Sequence, residues 1–515
     1  FRSFSYGDVY QAARRFAHGL IRLGIAPGDR VGIHLPNVPH YLVAYYGAMM
    51  AGAVVVNFSP LYTAQELERQ AEDSGTRLLV TLSTRSLFET ARSVLDGSCV
   101  DRLVVASVVG ALPTGKALLY RLFKHGEDAH VPRDKHILAF SQLLDNAADE
   151  PLPPIDAAQD LALLQYTGGT TGQPKAAMLT HQNLTANARQ VLLVDGRRDE
   201  PDRMLGVLPF FHVFANTAVL NRTVANGGQI IMLPRFDVGQ VLAAIGRARI
   251  TCLPGVPTMF QALLDAPALA DANLASLRLC ISGGAPLPAS LRTAFEAASG
   301  ARLVEGYGLT ESSGVVSVNP FDSPGKSGTI GQPLPATRVR LLDRDDPSRP
   351  APPGVPGEIA VAGPQIMRGY WRAPAEDEQV FVDGFMRTGD VGTIDEDGYI
   401  RIVDRLKDMI SVGGFKVFPS QVEALLDRHP AVREALVIGV PDPYRGESPK
   451  AFVTLRSPAV GDFSGDMIKA WLNPQLGKHE RVVAVEIRDS LPKTLIGKLS
   501  RKELVAEERA KAGLS

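Results

Sequence analysis

Apolar residues recur at helical spacing from Tyr6 to Leu23 and then crowd into the short run Arg30 to Leu35. This change of period predicts an amphipathic helix followed by a buried strand. The exchange repeats: Tyr41 to Ala51 reads as a helix, Ala53 to Asn57 as a β-branched strand, Ala64 to Ser74 as a helix and Leu78 to Thr81 as a strand. Such alternation predicts a mainly parallel sheet covered on both faces. The run Tyr41 to Phe58 carries no charge over a length close to a membrane span. Gly52 divides it into a small-residue helix and a strand, which is the pattern of a buried α/β core instead.

From about residue 101 to 158 the pattern weakens, and Pro151 to Pro154 reads as a linker. Within it, Ala117 to His125 mixes apolar and basic residues and fits a packed surface helix better than an interfacial one. A second α/β series follows, with strands near Met204 to Leu208, Gln229 to Leu233, Cys252 to Leu253, Leu277 to Ile281 and Arg302 to Glu305. Thr337 to Val403 is β-rich, with a turn at Asp397-Gly398, and after Asp404 the composition becomes that of a compact α/β unit. The expected fold class is α/β: a large N-terminal domain of two α/β sheet subdomains plus a β-rich subdomain, followed by a small mobile α/β C-terminal domain. The boundary falls at 404/405, giving domains 1–404 and 405–515. Phe1 opens inside an established strand and helix pattern, so the large domain is expected to lack its native N-terminus and a targeting segment stays open.

A chain of 515 residues exceeds one hydrophobic core, in agreement with two or more domains. Its 54 basic residues nearly balance 55 acidic ones, so no global field argues for nucleic acid or an anionic membrane. The three cysteines, Cys99, Cys252 and Cys280, are far apart and odd in number, which gives neither a disulfide framework nor a zinc spacing and makes a reducing, cytoplasmic setting the default.

Candidate chemistry concentrates in a few segments. Tyr166-Thr-Gly-Gly-Thr-Thr-Gly-Gln-Pro-Lys175 follows an apolar run and crowds small residues and hydroxyls around one lysine, which suits a polyphosphate. It is not a Walker loop, because Pro174 precedes the lysine and Ala176 follows it. In Glu305-Gly-Tyr-Gly-Leu-Thr-Glu311, Glu311 stands where a dinucleotide fingerprint would want glycine. There Tyr307 can stack on a flat base and Glu311 can hold a magnesium ion. Arg387-Thr-Gly-Asp390 offers a carboxylate for ribose hydroxyls, although most Gly-Asp pairs are turns. Asp404-Arg-Leu-Lys-Asp-Met-Ile-Ser-Val-Gly-Gly-Phe-Lys416 and Leu491-Pro-Lys-Thr-Leu-Ile-Gly-Lys498 could each be no more than a connector and a solvated basic tail.

Taken in order, these five segments resemble the adenylate-forming superfamily of acyl-CoA synthetases, luciferases and peptide-synthetase adenylation domains. With Pro209-Phe-Phe-His-Val-Phe and Val318-Asn-Pro they are most similar to bacterial long-chain fatty-acid–CoA ligases. The resemblance covers essentially the whole chain. It implies a two-step reaction in which a fatty carboxylate attacks ATP to give an acyl-adenylate and the thiol of coenzyme A (CoA) then displaces AMP. It also implies the roles. Lys498 is the catalytic lysine, Glu311 the Mg²⁺ ligand, Thr310 a phosphate contact, and His212 a residue near the acyl carboxylate and the thiol tunnel. Thr167, Gly168, Gly169, Thr170, Thr171, Gly172 and Lys175 cradle phosphates. Gly283, Gly284 and Ala285 border base and acyl group, and Glu305, Gly306, Tyr307 and Gly308 form the adenine-binding turn. Asp390 and Arg405 hold the ribose, Lys407 is the hinge, and Gly413 and Gly414 face the pantetheine arm.

His212 has a second reading, as a core histidine packed between Phe211 and Phe214. Ala176 stands where the family usually has glycine, and a Cβ there would strain the loop only if the position needs a positive φ. The expected partners are fatty acid, ATP and CoA, with no nucleic acid. A homodimer and peripheral contact at the inner face of the membrane are both compatible with this. A ligase for an aromatic or dicarboxylic acid and, further off, a non-catalytic acyl-adenylate-binding protein are the alternatives.

Overall fold

The computed structural model describes residues 2–112, 115, 117, 119–120, 127–132, 134–167, 174–197, 199–456, 463–494 and 498–512. Helix Tyr6–Arg22 starts where Ser5 and Asp8 form a capping box, the Ser5 side chain accepting from Asp8 N and the Asp8 carboxylate accepting from Ser5 N at 2.8 Å. Helix Ala64–Ser74 begins on the same device, Thr63 with Glu66, and stops at Gly75, whose φ of 65° no other residue adopts as cheaply. Local sequence therefore sets both ends of this helix.

The first sheet runs in the order Ile137–Ala139, Arg102–Ala106, Thr76–Leu82, Arg30–Ile33, Val54–Asn57, Leu161–Tyr166, Ala176–Thr180. Every pairing is parallel except the last, as the alternating pattern predicts. The charge-free run is helix Pro39–Met50 followed by buried strand Val54–Asn57, and among the described residues no helix is long and apolar enough to cross a membrane. Two outer strands of this sheet come from the stretch whose pattern was weakest, and most of Ala117 to His125 lies outside the described residues.

The second sheet orders Gln332–Pro333, Ser317–Val318, Arg302–Tyr307, Leu279–Ser282, Cys252–Gly255, Arg203–Gly206 and Gln229–Met232, parallel through its last five members. The β-rich region forms a third, antiparallel sheet, in which Gly357–Ala362 lies between Arg338–Leu342 and Phe385–Ile394, and Ile400–Arg405 pairs with Phe385–Ile394. A fourth sheet, built on the long hairpin Val432–Asp442 and Gly446–Leu455, has its own apolar layers on both faces, Val422, Leu426 and Ile468 on one and Leu436, Phe452 and Leu504 on the other. The apolar core beneath the first three sheets extends as far as Ile400, and the core of the fourth begins at Ile410. The expected α/β class, with one large and one small unit, is what the chain forms.

Four charged side chains meet within the large core. Arg222, 1% exposed, pairs with Asp195 at 2.7 Å and Asp202 at 2.9 Å, and Arg278 reaches the same carboxylates at 2.8 and 3.0 Å. Two positive and two negative groups cancel, and the cluster pins the starts of strands Arg203–Gly206 and Leu279–Ser282. Deleting one partner would leave an unmatched buried charge. Asp195→Ala is therefore expected to lower the unfolding free energy by about 3–5 kcal/mol in chemical denaturation; a loss within the ±0.5 kcal/mol or so of an ordinary surface substitution would contradict the assignment.

Candidate active site

Strands Leu161–Tyr166 and Ala176–Thr180 pair antiparallel with Tyr166 opposite Ala176, and Thr167 N donates to Lys175 O at 2.8 Å. Lys175 thus stands next to the last pair of the two strands, opposite Thr167. Gly168, Gly169, Thr170, Thr171 and Gly172 lie outside the described residues. Ala176 is a buried strand residue and is not among those with positive φ, so its Cβ strains nothing. On the other edge of this strand runs Arg368 to Trp371: Arg368 N donates to Met178 O, Met178 N to Gly369 O and Trp371 N to Ala176 O, at 2.8–2.9 Å. The base of the hairpin is therefore bonded on both sides.

Tyr370 on that flanking segment joins two predicted groups. Its hydroxyl donates to Glu311 Oε1 at 2.7 Å, and its ring centroid lies 5.4 Å from Lys175 Nζ. Burial, and then the Glu311 charge, raise the Tyr370 phenol above its ordinary pKa. Lys175 Nζ donates to Glu376 Oε2 at 2.5 Å. Glu311, Tyr370, Glu376, Glu358 and Arg387 line a cavity of about 280 Å³. Of its carboxylates, Glu358 is matched by Arg387 at 2.8 Å and Glu376 by Lys175, while Glu311 has a neutral phenol. Thr310 and Glu311 sit on a short turn held by Met367 N, which donates to Glu311 O. Tyr370 and Glu376 carry no signal in the sequence, because Arg368-Gly-Tyr-Trp371 has neither strand alternation nor a phosphate-loop composition.

Asp390 ties a second cluster together. It is 2% exposed, its Oδ2 accepts from the Tyr307 hydroxyl at 2.5 Å and its Oδ1 pairs with Arg405 Nε at 2.8 Å across the register Asp390↔Arg405. Burial, and then the Asp390 charge, push the Tyr307 phenol well above its usual pKa, while Asp390 is the main cause of the raised value of Arg405. Glu305, on the strand that carries Tyr307, accepts from Leu287 N at 3.2 Å and so ties the loop after Ser282 to that strand. Burial pushes its carboxyl up to about 8. Gly306 pairs with Val318, and Gly308 backs so closely onto the Gly314 carbonyl that a Cβ could not fit.

Lys498 comes from beyond the fourth sheet and meets this cluster. A Cβ on Gly284, whose φ is 82°, would overlap Lys498 Cε and lie 3.1 Å from Nζ. The torsion favours glycine there, and the end of the lysine side chain takes the space a methyl would fill. A Cβ on Gly283 would stand 3.0 Å from the Phe214 ring, and Ala285 follows in the same loop. Burial, and then the charge of Arg405, lower Lys498 to about 8, with Asp390 acting in the opposite sense. His212 caps the short helix Val213–Ala215, its Nδ1 accepting from Phe214 N at 3.2 Å, so the neutral ring carries its proton on Nε2. Burial and then Lys498 lower its pKa to about 3. The ring thus bonds to the backbone of Phe214, one of the two phenylalanines of its core reading, and lies close enough to Lys498 to feel its charge.

Lys407 lies on the turn Leu406–Asp408, close enough to Arg405, Asp390 and Glu311 to feel their charges. Gly413 and Gly414 are not gathered in. They form the exposed two-residue turn between Ile410–Val412 and Phe415–Val417, both with positive φ, as such hairpins demand. Among the described residues no cluster of three or more His, Cys, Asp or Glu could cage a metal ion. A single carboxylate such as Glu311 fits the needs of magnesium, which takes one or two carboxylates and completes its shell with water and substrate oxygens.

A large α/β unit that carries Lys175 and the buried Asp390–Arg405 pair, met by a lysine from a small unit, is the arrangement that the resemblance to adenylate-forming enzymes implies, and the chain's relatives are of that class. The chain belongs to the AMP-binding enzyme family: residues 1–371 match the AMP-binding enzyme model and 421–498 the AMP-binding enzyme C-terminal domain model. It is 40% identical over 512 residues to a long-chain-fatty-acid–CoA ligase of Bacillus subtilis, covering 98% of this chain and 90% of the relative. A feruloyl-CoA synthase of Amycolatopsis is 38% identical over 505 residues, covering 98% and 93%. Among solved structures, ATP-bound MatB from Rhodopseudomonas palustris superposes with a TM-score of 0.85 at 31% identity, covering 98% of this chain and 93% of that one.

Gly284→Ala tests the contact with Lys498. A side chain at this φ costs about 1–2 kcal/mol by itself, and the added methyl displaces the lysine into solvent, where its pKa returns toward the ordinary value. Amine labelling followed against pH and read residue by residue by mass spectrometry should therefore find the reactivity of Lys498 rising at higher pH than in the parent, toward the ordinary lysine range. Unchanged labelling would mean that the lysine does not rest on Gly284.

Proposed function

We propose that the chain is a fatty acyl-CoA synthetase of medium to long chain preference, converting ATP, a fatty acid and CoA into acyl-CoA, AMP and diphosphate. The observation that carries this reading is the lysine of the small unit resting on Gly284 within the field of Asp390 and Arg405. In the first step a carboxylate oxygen attacks the α-phosphorus, the bond to the bridging oxygen breaks, and diphosphate leaves. The Lys498 ammonium donates to the carboxylate and α-phosphate oxygens as charge moves between them. Asp390, fixed by Arg405, accepts from ribose hydroxyls, Tyr307 stacks on adenine, Gly283, Gly284 and Ala285 border base and acyl group, and Glu305, Gly306 and Gly308 shape that wall. Lys175, the loop from Thr167 to Gly172 and Thr310 hold the phosphates. Glu311 would hold Mg²⁺, which supplies charge screening on the leaving diphosphate.

In the second step the CoA thiol gives up its proton to solvent, its sulfur attacks the acyl carbonyl carbon, and the bond from that carbon to the AMP oxygen breaks. For this the small unit turns against the large one about Lys407, a residue that need only absorb a change of torsion; Arg405, paired with Asp390 in the third sheet, stays with the large unit, so the moving part begins just after the 404/405 boundary expected from the sequence. Lys498 withdraws and Gly413-Gly414 meets the pantetheine arm. His212, neutral and protonated on Nε2, stands near the acyl carboxylate and thiol path.

We place the acyl group against Phe210 to Phe214, Leu253 to Phe260 and Ser312 to Ser317, which contain no Asp, Glu, Lys or Arg and of which Phe210, Leu253, Phe260 and Val316 are buried. An apolar chain is the substrate such walls select. A ligase for an aromatic acid is the second reading, favoured by the likeness to feruloyl-CoA synthase. The setting that suits either is the cytoplasm, with fatty acid drawn from the inner face of the membrane.

ATP-dependent thioester formation across acids from acetate to stearate, with benzoate and pimelate included, decides between them. Fatty acids of medium to long chain should give the highest kcat/KM; preference for benzoate or pimelate contradicts the fatty-acid reading, and absence of diphosphate release with every acid contradicts the enzyme reading. The ammonium form of Lys498 is the active one and its pKa in the free enzyme is lowered to about 8. Hence kcat/KM for adenylate formation should fall as pH rises through about 8. An alkaline limb that begins only near pH 10, where an ordinary lysine titrates, would contradict the buried setting of Lys498.

A further inference from the structure

Lys175 is not waiting uncommitted for a phosphate. Its ammonium is held at 2.5 Å by Glu376, half-buried like the lysine itself, at the start of helix Pro374–Val380. The helix is fixed there: Asp377 Oδ1 accepts from Tyr370 N at 2.8 Å, and a Cβ on Gly369 would strike the Asp377 carboxylate. The backbone that carries Glu376 therefore stays beside Lys175 when the lysine turns to a ligand. It also lines the cavity that holds Glu311, Glu358 and Arg387. Since Glu358 and Arg387 neutralise each other, transfer of Lys175 to a phosphate leaves two carboxylates, Glu311 and Glu376, facing the incoming polyanion.

We infer that Glu376 is a counter-ion that competes with the nucleotide for Lys175 and thereby favours cation-complexed ATP over free ATP. The inference rests on the ATP-dependent reading given above. Free ATP must take the lysine and then tolerate two nearby carboxylates, so it pays the lost ion pair and the repulsion together. A divalent cation arriving with the phosphates offsets both carboxylates, one of them held in place by the Tyr370 hydroxyl. Glu376 thus acts as a positioning and selecting residue, not as a group that touches the reacting atoms.

The distinguishing variant is Glu376→Gln, which removes the charge and keeps the shape. A pair this exposed has a modest strength, so the effect should be small in size and specific in kind. Calorimetric titration without fatty acid is the measurement, with ATP plus Mg²⁺ in one arm and ATP plus EDTA in the other. Glu376→Gln should bind free ATP about three- to tenfold more tightly than the parent and MgATP less than about twofold more tightly. Glu376→Asp should restore most of the parent's discrimination. In a Lys175→Ala background the gain from Glu376→Gln should shrink, because no pair remains to be broken. Unchanged or weaker binding of free ATP by Glu376→Gln overturns the inference, as does an equal gain for free and Mg²⁺-complexed ATP. A full gain in the Lys175→Ala background overturns it too, since the carboxylate would then act without the lysine. If the parent protein binds no ATP in either arm, the functional reading itself fails; if it binds ATP and Glu376→Gln behaves like the parent, only the role of Glu376 fails.

Discussion

The organisation of the site depends on one constraint: an ammonium group borne by the small unit has to be buried in the large one. Lys498 reaches Gly284, and burial lowers its pKa to about 8. A fully compensated lysine would instead be raised. Asp390 stabilises the charge and Arg405, the partner of Asp390, opposes it, so Lys498 stays short of negative charge. That deficit is what a phosphate and a carboxylate can fill. The surroundings are charged in advance for a reaction that moves negative charge past a fixed point, the arrangement in which preorganised electrostatics contribute most.

Holding the site to that geometry falls to tightly bonded backbone more than to the reacting side chains. Gly308 against Gly314, Glu305 on Leu287 N and the hairpin strand Ala176–Thr180, bonded along both edges, each leave little freedom to move. The buried cluster of Arg222, Arg278, Asp195 and Asp202 pins the far ends of two strands whose C-terminal ends lead to the site. Ligands of open parallel sheets gather beyond the carboxyl ends of the strands, and Gly283–Ala285 and Tyr307 both lie there. Glu376 and Tyr370 add an electrostatic frame that no catalytic motif contains.

Much of this is legible in the amino-acid sequence, and for identifiable reasons. Helices with capping boxes, such as Ala64–Ser74, and strands flanked by glycine, such as Val54–Asn57, carry their boundaries in a few neighbouring residues. The outer strands Arg102–Ala106 and Ile137–Ala139 stay hidden because their place depends on pairing with a distant neighbour within a proline- and charge-rich stretch. Within the site, Asp390, Arg405 and Lys498 stand out by resemblance, while Tyr370 and Glu376 do not. Their role arises from packing beside a hairpin about two hundred residues earlier in the chain, a separation that no local pattern encodes. Ala176 shows the converse. A departure from the family pattern raises a question of strain, and a strand torsion removes it.

The account turns on whether Lys498 serves the first chemical step and leaves for the second. Lys498→Ala assayed in two separate half-reactions measures this directly: formation of acyl-adenylate with diphosphate release, and formation of thioester from pre-made acyl-adenylate and CoA. The first should fall by about 10²–10³-fold, the loss typical of removing one preorganised donor, while the second stays near the parent rate. Equal losses in both half-reactions would contradict the assignment of Lys498 to adenylation and the turn of the small domain between the steps.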